Sequence, residues 1–281
     1  GHKVTLFDKA QMIGGQLNLA KMVPGKEEFW GLVDWFSEML KSSGAEVKLG
    51  ELVTSSDVID FDEVIIATGV SPRDPKIKGQ EKNNVVSYVE VLNGTGQIGQ
   101  KVAVIGAGGI GFDVSEYLVH ENKSDNKQIE IPKWMNEWGV GDPNKTPGGL
   151  AESGPKPEAA VRQVTLMQRK KQKLGRNLGK TTGWIHRSAL KMKNVQMIGN
   201  VNYEEITSEG IMVSDGELRE NPRLVSADTV VICAGQESDR SLADELIEKG
   251  KKVHIIGGAD VASELDAKRA IDQGVRLAIS L

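Results

Sequence analysis

The sequence predicts an α/β chain of two doubly wound, Rossmann-like dinucleotide-binding modules, one inserted in the other. Three observations carry that expectation. First, the apolar run from Val102 to Ile105 leads into Gly106, Gly108 and Gly111 at G-x-G-x-x-G spacing. That order reads as a buried parallel strand, a phosphate loop and a helix start. Second, the stretch from Val230 to Gly235 repeats the pattern from Val64 to Gly69, a buried strand followed by a small-residue turn. Third, the chain opens on a short strand, Val4 to Phe7, ending at Asp8. This resembles the second strand of a dinucleotide-binding fold, so the first module is expected to lack its initial strand and Gly-rich loop and the chain to be a fragment of a longer protein.

Composition narrows the class. At 281 residues there is room for two cores. A formal net charge of −4 with both signs interspersed gives no reason to expect nucleic acid or an anionic membrane surface. No apolar run reaches the length of a membrane span, and the N-terminus shows no signal-peptide core. A cytoplasmic protein is the expectation. The single cysteine, Cys233, lies inside an apolar run, which excludes an intrachain disulfide, a C-x-x-C pair or a thiolate cluster and leaves a small buried hydrophobe.

Beyond Asp8, Gly14 and Gly15 precede Gln16 and let backbone pass close to a ligand. Glu27 to Ser43 is an amphipathic helix, with Phe29, Val33, Phe36 and Leu40 at helical spacing and Gly44 as its stop. Glu46 to Leu49 and Leu52-Val53 read as short strands, and Glu63 to Ala67 as a buried one ending in Thr68-Gly69. Ser71 to Pro75 is too Pro-rich for regular structure and reads as a linker. Ser87 caps a helix over Tyr88 to Leu92. Glu121 to Ala160 holds five prolines and no clear period, although Trp134 and Trp138 are expected to pin it. Strands follow at Val164 to Met167, Val195 to Ile198 and Tyr203 to Ile206, with Ile211 to Val213 closing a hairpin. A helix starts at Gly183. Val253 to Ile256 leads through Gly257, Gly258 and Asp260 to a last helix near Asp266 to Ile279.

Three places are chemically informative. Asp8, at a strand end, can accept hydrogen bonds from ribose hydroxyls. The strand after the central glycines ends at Gln168, where an NAD-type site carries a carboxylate, and Arg169 and Lys170 follow. A carboxylate there would repel a 2′-phosphate, whereas these cations pair with it, so NADPH is the expected cofactor. Asp260 can accept from a ribityl hydroxyl, beside a helix N-terminus that favours an electron-rich flavin. Asp8 and Asp260 are therefore expected on the carboxyl edge of one sheet. His186 and His254 have no partners at ligand spacing, and no metal site or nucleophile motif is read.

The stretches L-F-D and G-G-Q (Asp8, Gly14 to Gln16), A-T-G (Ala67 to Gly69), G-A-G-G-I-G-F-D (Gly106 to Asp113), G-K-T-T-G-W-I-H-R (Gly179 to Arg187), I-C-A-G-Q-E (Ile232 to Glu237) and the run from Ile256 to Ile271 carry a resemblance over the whole chain. Together they are similar to the C-terminal half of bacterial NADPH-dependent 2,4-dienoyl-CoA reductases, of the NADH:flavin oxidoreductase and trimethylamine dehydrogenase-like family. The resemblance implies an FAD module over residues 1–93 and 237–281 and an NADPH module over 94–236. It implies cofactor contacts at Asp8, Gly14, Gly15, Gln16, Val53, Ala67, Thr68, Gly69, Ala234, Gly235, Gly258, Asp260 and Leu265. The same holds for Gly106, Gly108, Gly109, Ile110, Gly111, Arg169 and Lys170.

In that family an N-terminal barrel carries FMN, an iron–sulfur cluster and the catalytic residues, so acyl-CoA substrate is expected to meet the barrel and no catalytic side chain is assigned here. The implied reaction is hydride transfer from NADPH to FAD for dienoyl-CoA reduction in unsaturated fatty acid β-oxidation. An enoate reductase or amine dehydrogenase of the same architecture is the alternative, as is a nucleotide-binding module without turnover. An amine dehydrogenase has no use for the intact glycine loop and basic residues.

Overall fold

A computed structural model describes residues 1–121, 131–263 and 266–281. The chain divides into two compact units. One joins Gly1–Lys21, Glu28–Asp74 and Ala234–Leu281; the other joins Met22–Glu27 and Pro75–Cys233.

The second unit is built on a five-stranded sheet in which every neighbouring pair is parallel. Its order is Val85–Ser87, Thr229–Ile232, Lys101–Ile105, Gln163–Met167, Gln196–Ile198. The glycine-motif strand is central. Val102, Ala103, Val104 and Ile105 are all buried because helices or strands cover both faces, which is why the run is apolar without alternation. The helix Gly109–Val119 follows the glycines and packs against the helix Gly183–Met192 and the strand Gln163–Met167. Ser87 caps the helix Tyr88–Leu92 as the sequence predicts, through a capping box in which Glu90 N–H donates to Ser87 Oγ (3.2 Å) and Ser87 N–H to Glu90 Oε2 (2.7 Å). The expected hairpin has a third member. Val201–Thr207, Gly210–Asp215 and Glu220–Ser226 form an antiparallel sheet with Gly210–Asp215 in the middle. Pro222 hid the third strand in the sequence, and it sits where proline is tolerated, on an edge.

Two expectations for this unit are corrected. Residues 75–93 pack here rather than with the first module, because Val85–Ser87 is a strand of the five-stranded sheet. The segment expected to lack regular structure contains the helix Ile131–Trp138, part of the span falling on residues 122–130, outside the described ones. The two tryptophans face each other at 6.2 Å, yet the anchor is Glu137, which is buried and paired with the buried Lys193 at 3.0 Å. A buried ion pair broken on one side leaves an uncompensated charge, so this contact holds the segment more firmly than two half-covered rings.

The first unit holds three two-stranded ladders. Thr5–Asp8 pairs with Glu46–Leu49 and Val64–Ile66 with Val253–Ile255, both parallel; Val70–Pro72 pairs antiparallel with Gln236–Ser238. The last ladder corrects the linker reading, since Pro72 lies at the end of a short strand where its missing N–H does no harm. Leu52-Val53 is not a strand. The chain there runs irregularly into the helix Ser55–Val58, and Val53 packs against a core of Val58, Val64, Ile66, Ala243, Leu246 and Ala259. The amphipathic helix is Glu28–Ser43, and the final helix, Ala267–Ser280, is capped by Asp266, whose Oδ1 accepts from Arg269 N–H at 2.7 Å. No helix among the described residues is long and apolar enough to cross a membrane.

Candidate functional site

In the second unit the glycine motif lies at the carboxyl edge of the central strand. Gly106 turns at φ +104°, a conformation glycine adopts without strain, and its N–H donates to Met167 O at 2.8 Å. Gly108 is the residue before the helix Gly109–Val119. A Cβ added at Gly108 or Gly109 would meet no atom within 4 Å, whereas one at Gly111 would lie 1.8 Å from Gly106 O. The first two glycines thus leave room over a helix N-terminus, where unpaired N–H groups and the helix dipole favour an anion. The third lets the helix approach its strand. Ile110, in the first helical turn, is half-buried. The residues present fit a dinucleotide pyrophosphate.

The neighbouring strand ends at Gln168, which is buried. Its N–H donates to Ile198 O (2.9 Å) and its Nε2 donates to Lys170 O (3.0 Å) and to Gln172 O. One carboxamide therefore fixes the backbone of the basic loop and leaves the Arg169 and Lys170 side chains exposed. Farther along, Arg187 Nη1 donates to Gly175 O at 3.1 Å, and the Phe112 ring leaves no space for a side chain at Gly175. The G-K-T-T-G-W-I-H-R stretch thereby ties the basic loop to the two packed helices.

Several groups near this edge had no signal in the sequence. Lys26 pairs with Asp113, just past the third glycine, at 2.6 Å, both partly buried. Burial lowers the pKa of His186, and the Asp113 carboxylate opposes the shift. Burial pushes the Cys233 thiol well above its ordinary range, with Asp113 adding to it, which leaves an unreactive thiol. Glu116, one turn on from Asp113, is pushed up to about 7 by burial first and then by Asp113 and Glu137. Its Oε2 is buried without a hydrogen-bond partner among the described residues. The Tyr203 hydroxyl is in the same condition.

In the first unit, Asp8 closes its strand with Oδ1 accepting from Ala10 N–H at 2.9 Å. Gly14 and Gly15 both have positive φ, and Gln16 leads into the short helix Leu17–Ala20. Ala67, Thr68 and Gly69 follow the strand Val64–Ile66, with Thr68 Oγ1 donating to Asp239 O at 2.6 Å. Ala234 and Gly235 are both bound by Arg73. Its guanidinium donates to Ala234 O and its backbone N–H to Gly235 O at 3.0 Å. Gly258 is buried, with its carbonyl accepting from Ser238 Oγ, and Asp260 Oδ2 accepts from Gln273 Nε2 at 2.9 Å. Leu265 lies outside the described residues.

Asp8 is the last residue of one parallel strand and Asp260 follows the carboxyl end of another, but the expectation of one sheet is corrected. Their two ladders share packing, with Phe7 edge-on to Phe61 at 6.1 Å, and no described strand hydrogen-bonds to both. Among the described residues no group of three or more His, Cys, Asp or Glu could hold a metal.

Parallel strands delivering glycine turns at their carboxyl ends define an α/β nucleotide-binding protein of the Rossmann type. The chain belongs to the pyridine nucleotide-disulphide oxidoreductase family, whose model matches residues 1–267. That membership implies binding of FAD and a pyridine nucleotide, although one buried cysteine leaves no redox disulphide within this chain. A metal reductase of Desulforamulus reducens is 27% identical over 265 residues, covering 92% of this chain and 38% of that protein. Among solved structures, 2-naphthoyl-CoA reductase matches all of this chain and 36% of its own, with a TM-score of 0.78 and 22% identity. Histamine dehydrogenase from Rhizobium sp. 4-9 matches all of this chain and 40% of its own, with a TM-score of 0.71 and 18% identity. These two likenesses show the fold. The chain spans well under half the length of each of the three.

Proposed function

We propose that this chain is the electron-input portion of an NADPH-dependent flavin oxidoreductase serving the reduction of 2,4-dienoyl-CoA. The unit Pro75–Cys233 binds NADPH, and the unit containing Asp8 and Asp260 binds FAD. The observation that carries the reading is the edge of the five-stranded sheet, where open space at Gly108 and Gly109 adjoins Arg169 and Lys170. No carboxylate stands at the strand end; Gln168 does, and its carboxamide is spent on holding the loop. When bound, NADPH supplies a hydride and FAD receives it. The residues of the chain contribute binding and orientation: helix N–H groups to the pyrophosphate, cations to the 2′-phosphate, Asp8 to a ribose. Reduction of the acyl chain, with any FMN or iron–sulfur centre, falls to no residue of this chain.

The test is a titration of the purified 281-residue chain with NADPH and NADH, alongside the double variant Arg169→Ala/Lys170→Ala. A charged hydrogen bond contributes roughly 1.5–3 kcal/mol, so NADPH is expected to bind about 10- to 150-fold tighter than NADH. The variant should lose that preference and leave NADH almost untouched. Equal loss for the two nucleotides sinks the reading.

A further inference from the structure

The basic loop after the strand Gln163–Met167 is folded around a single side chain. Gln168 is buried, and its backbone is held from the neighbouring chain: its N–H donates to Ile198 O at 2.9 Å and its carbonyl accepts from Val201 N–H at 3.3 Å. Both side-chain N–H groups are spent on the loop that follows, Nε2 donating to Lys170 O at 3.0 Å and to Gln172 O. Lys170 O also accepts from Asn200 N–H at 3.3 Å. The loop carbonyls thus turn inward onto the strand end. The Arg169 and Lys170 side chains are left exposed, and no carboxylate pairs with either among the described residues. Arg176 is instead tied back onto the loop, its Nη1 donating to Gln172 Oε1 at 3.4 Å.

That position is chemically restrictive. Two backbone carbonyls converge on one side-chain atom, so that atom has to donate twice, as a carboxamide nitrogen does. An ionised carboxylate only accepts and would set oxygen against both carbonyls, and an apolar side chain would leave them without their donor. In a dinucleotide fold an acidic residue at this strand end holds the ribose 2′-hydroxyl of NAD. Here the side chain is directed into its own loop.

We propose that Gln168 is a positioning residue for 2′-phosphate selectivity, acting through the loop by holding Arg169 and Lys170 where they meet the phosphate. This rests on the dinucleotide reading above. Two consequences separate it from a residue that merely lacks a charge. Removing the carboxamide without adding charge abolishes the preference for NADPH although both cations remain. Installing a carboxylate creates no NADH site, because the new group lies against the loop carbonyls and away from the ribose.

The experiment titrates NADPH and NADH calorimetrically into the 281-residue chain, Gln168→Met, Gln168→Glu, Arg169→Ala/Lys170→Ala and the triple variant Gln168→Met/Arg169→Ala/Lys170→Ala. Methionine matches glutamine in length and carries no donor. Gln168→Met is expected to weaken NADPH about tenfold and to hold NADH within about twofold. In the background without the two cations it leaves the NADPH:NADH ratio unchanged, the non-additivity of residues that act as one. Gln168→Glu is expected to weaken NADPH at least as much and to leave NADH no tighter. A general structural role would lower both affinities together and add to the effect of the double variant. An unchanged ratio in Gln168→Met, equal losses for the two nucleotides, additivity in the triple variant, or tighter NADH in Gln168→Glu each overturn the proposal while the dinucleotide reading stands. If thermal unfolding shows Gln168→Met to be unfolded, Gln168→Asn, one methylene too short to serve both carbonyls, is judged by the same outcomes. A parent chain without a preference for NADPH overturns the dinucleotide reading and this proposal with it.

Discussion

Gly111→Ala and Gly108→Ala separate the packing role of the glycine motif from its binding role. At Gly111 the new methyl would lie 1.8 Å from Gly106 O and 2.9 Å from its carbonyl carbon, with Leu166 Cδ1 at 3.4 Å. The obstacle is backbone next to the fully buried Ile105, so no rotamer change relieves it; helix and strand must part. Overpacking of this kind costs about 1–3 kcal/mol, and a backbone clash belongs at the upper end. Alanine's better helix propensity returns about 1 kcal/mol, leaving a net destabilisation near 2 kcal/mol. For a unit of this size that is a fall in melting temperature of about 4–8 °C. Gly108 has φ −82° and ψ −171°, open to any residue, and nothing within 4 Å of the added atom. Its alanine variant should hold stability to within about 0.5 kcal/mol and weaken NADPH by about tenfold or more, because the methyl occupies the space of the pyrophosphate. Thermal unfolding and nucleotide titration of both variants decide the matter. A Gly111→Ala variant as stable as Gly108→Ala, or a Gly108→Ala variant that binds NADPH normally, refutes the argument.

Two further outcomes are expected. Glu116 is held neutral by burial and by Asp113 and Glu137, against the smaller opposing pull of Lys193 and Lys26, so its pKa rises from 4.5 to about 7 on folding. A raised folded pKa means stability present below pH 4.5 and lost as pH climbs through about 7, to at most about 3 kcal/mol. Glu116→Gln should therefore be more stable than the parent in urea unfolding at pH 8, by up to about that amount, and lose its advantage toward pH 5; a pH-independent difference would show that the carboxyl is not the cause. The first unit holds its parallel strands in separate two-stranded ladders, with no described strand bridging them, and should bind FAD weakly; a chain purified with stoichiometric flavin would contradict this.

The local chemistry was legible in the sequence wherever short-range order decides structure. The strand–glycine–helix unit from Lys101 to Val119 was readable because an unbroken apolar run, three spaced glycines and a helix-compatible stretch agree on one conformation. The Ser87 cap was readable because Ser87 and Glu90 satisfy each other's backbone within four residues. The absent carboxylate at Gln168 and the cations after it needed only counting.

Tertiary structure decided what depends on distant partners. Val85–Ser87 and Val70–Pro72 are strands only because Thr229–Ile232 and Gln236–Ser238 offer them backbone groups from more than 140 positions away. Glu137 is an anchor only because Lys193 is buried beside it. Asp8 and Asp260 look equivalent as strand-end carboxylates, yet ladders join strands by hydrogen bonds that no side-chain pattern records, and theirs are separate.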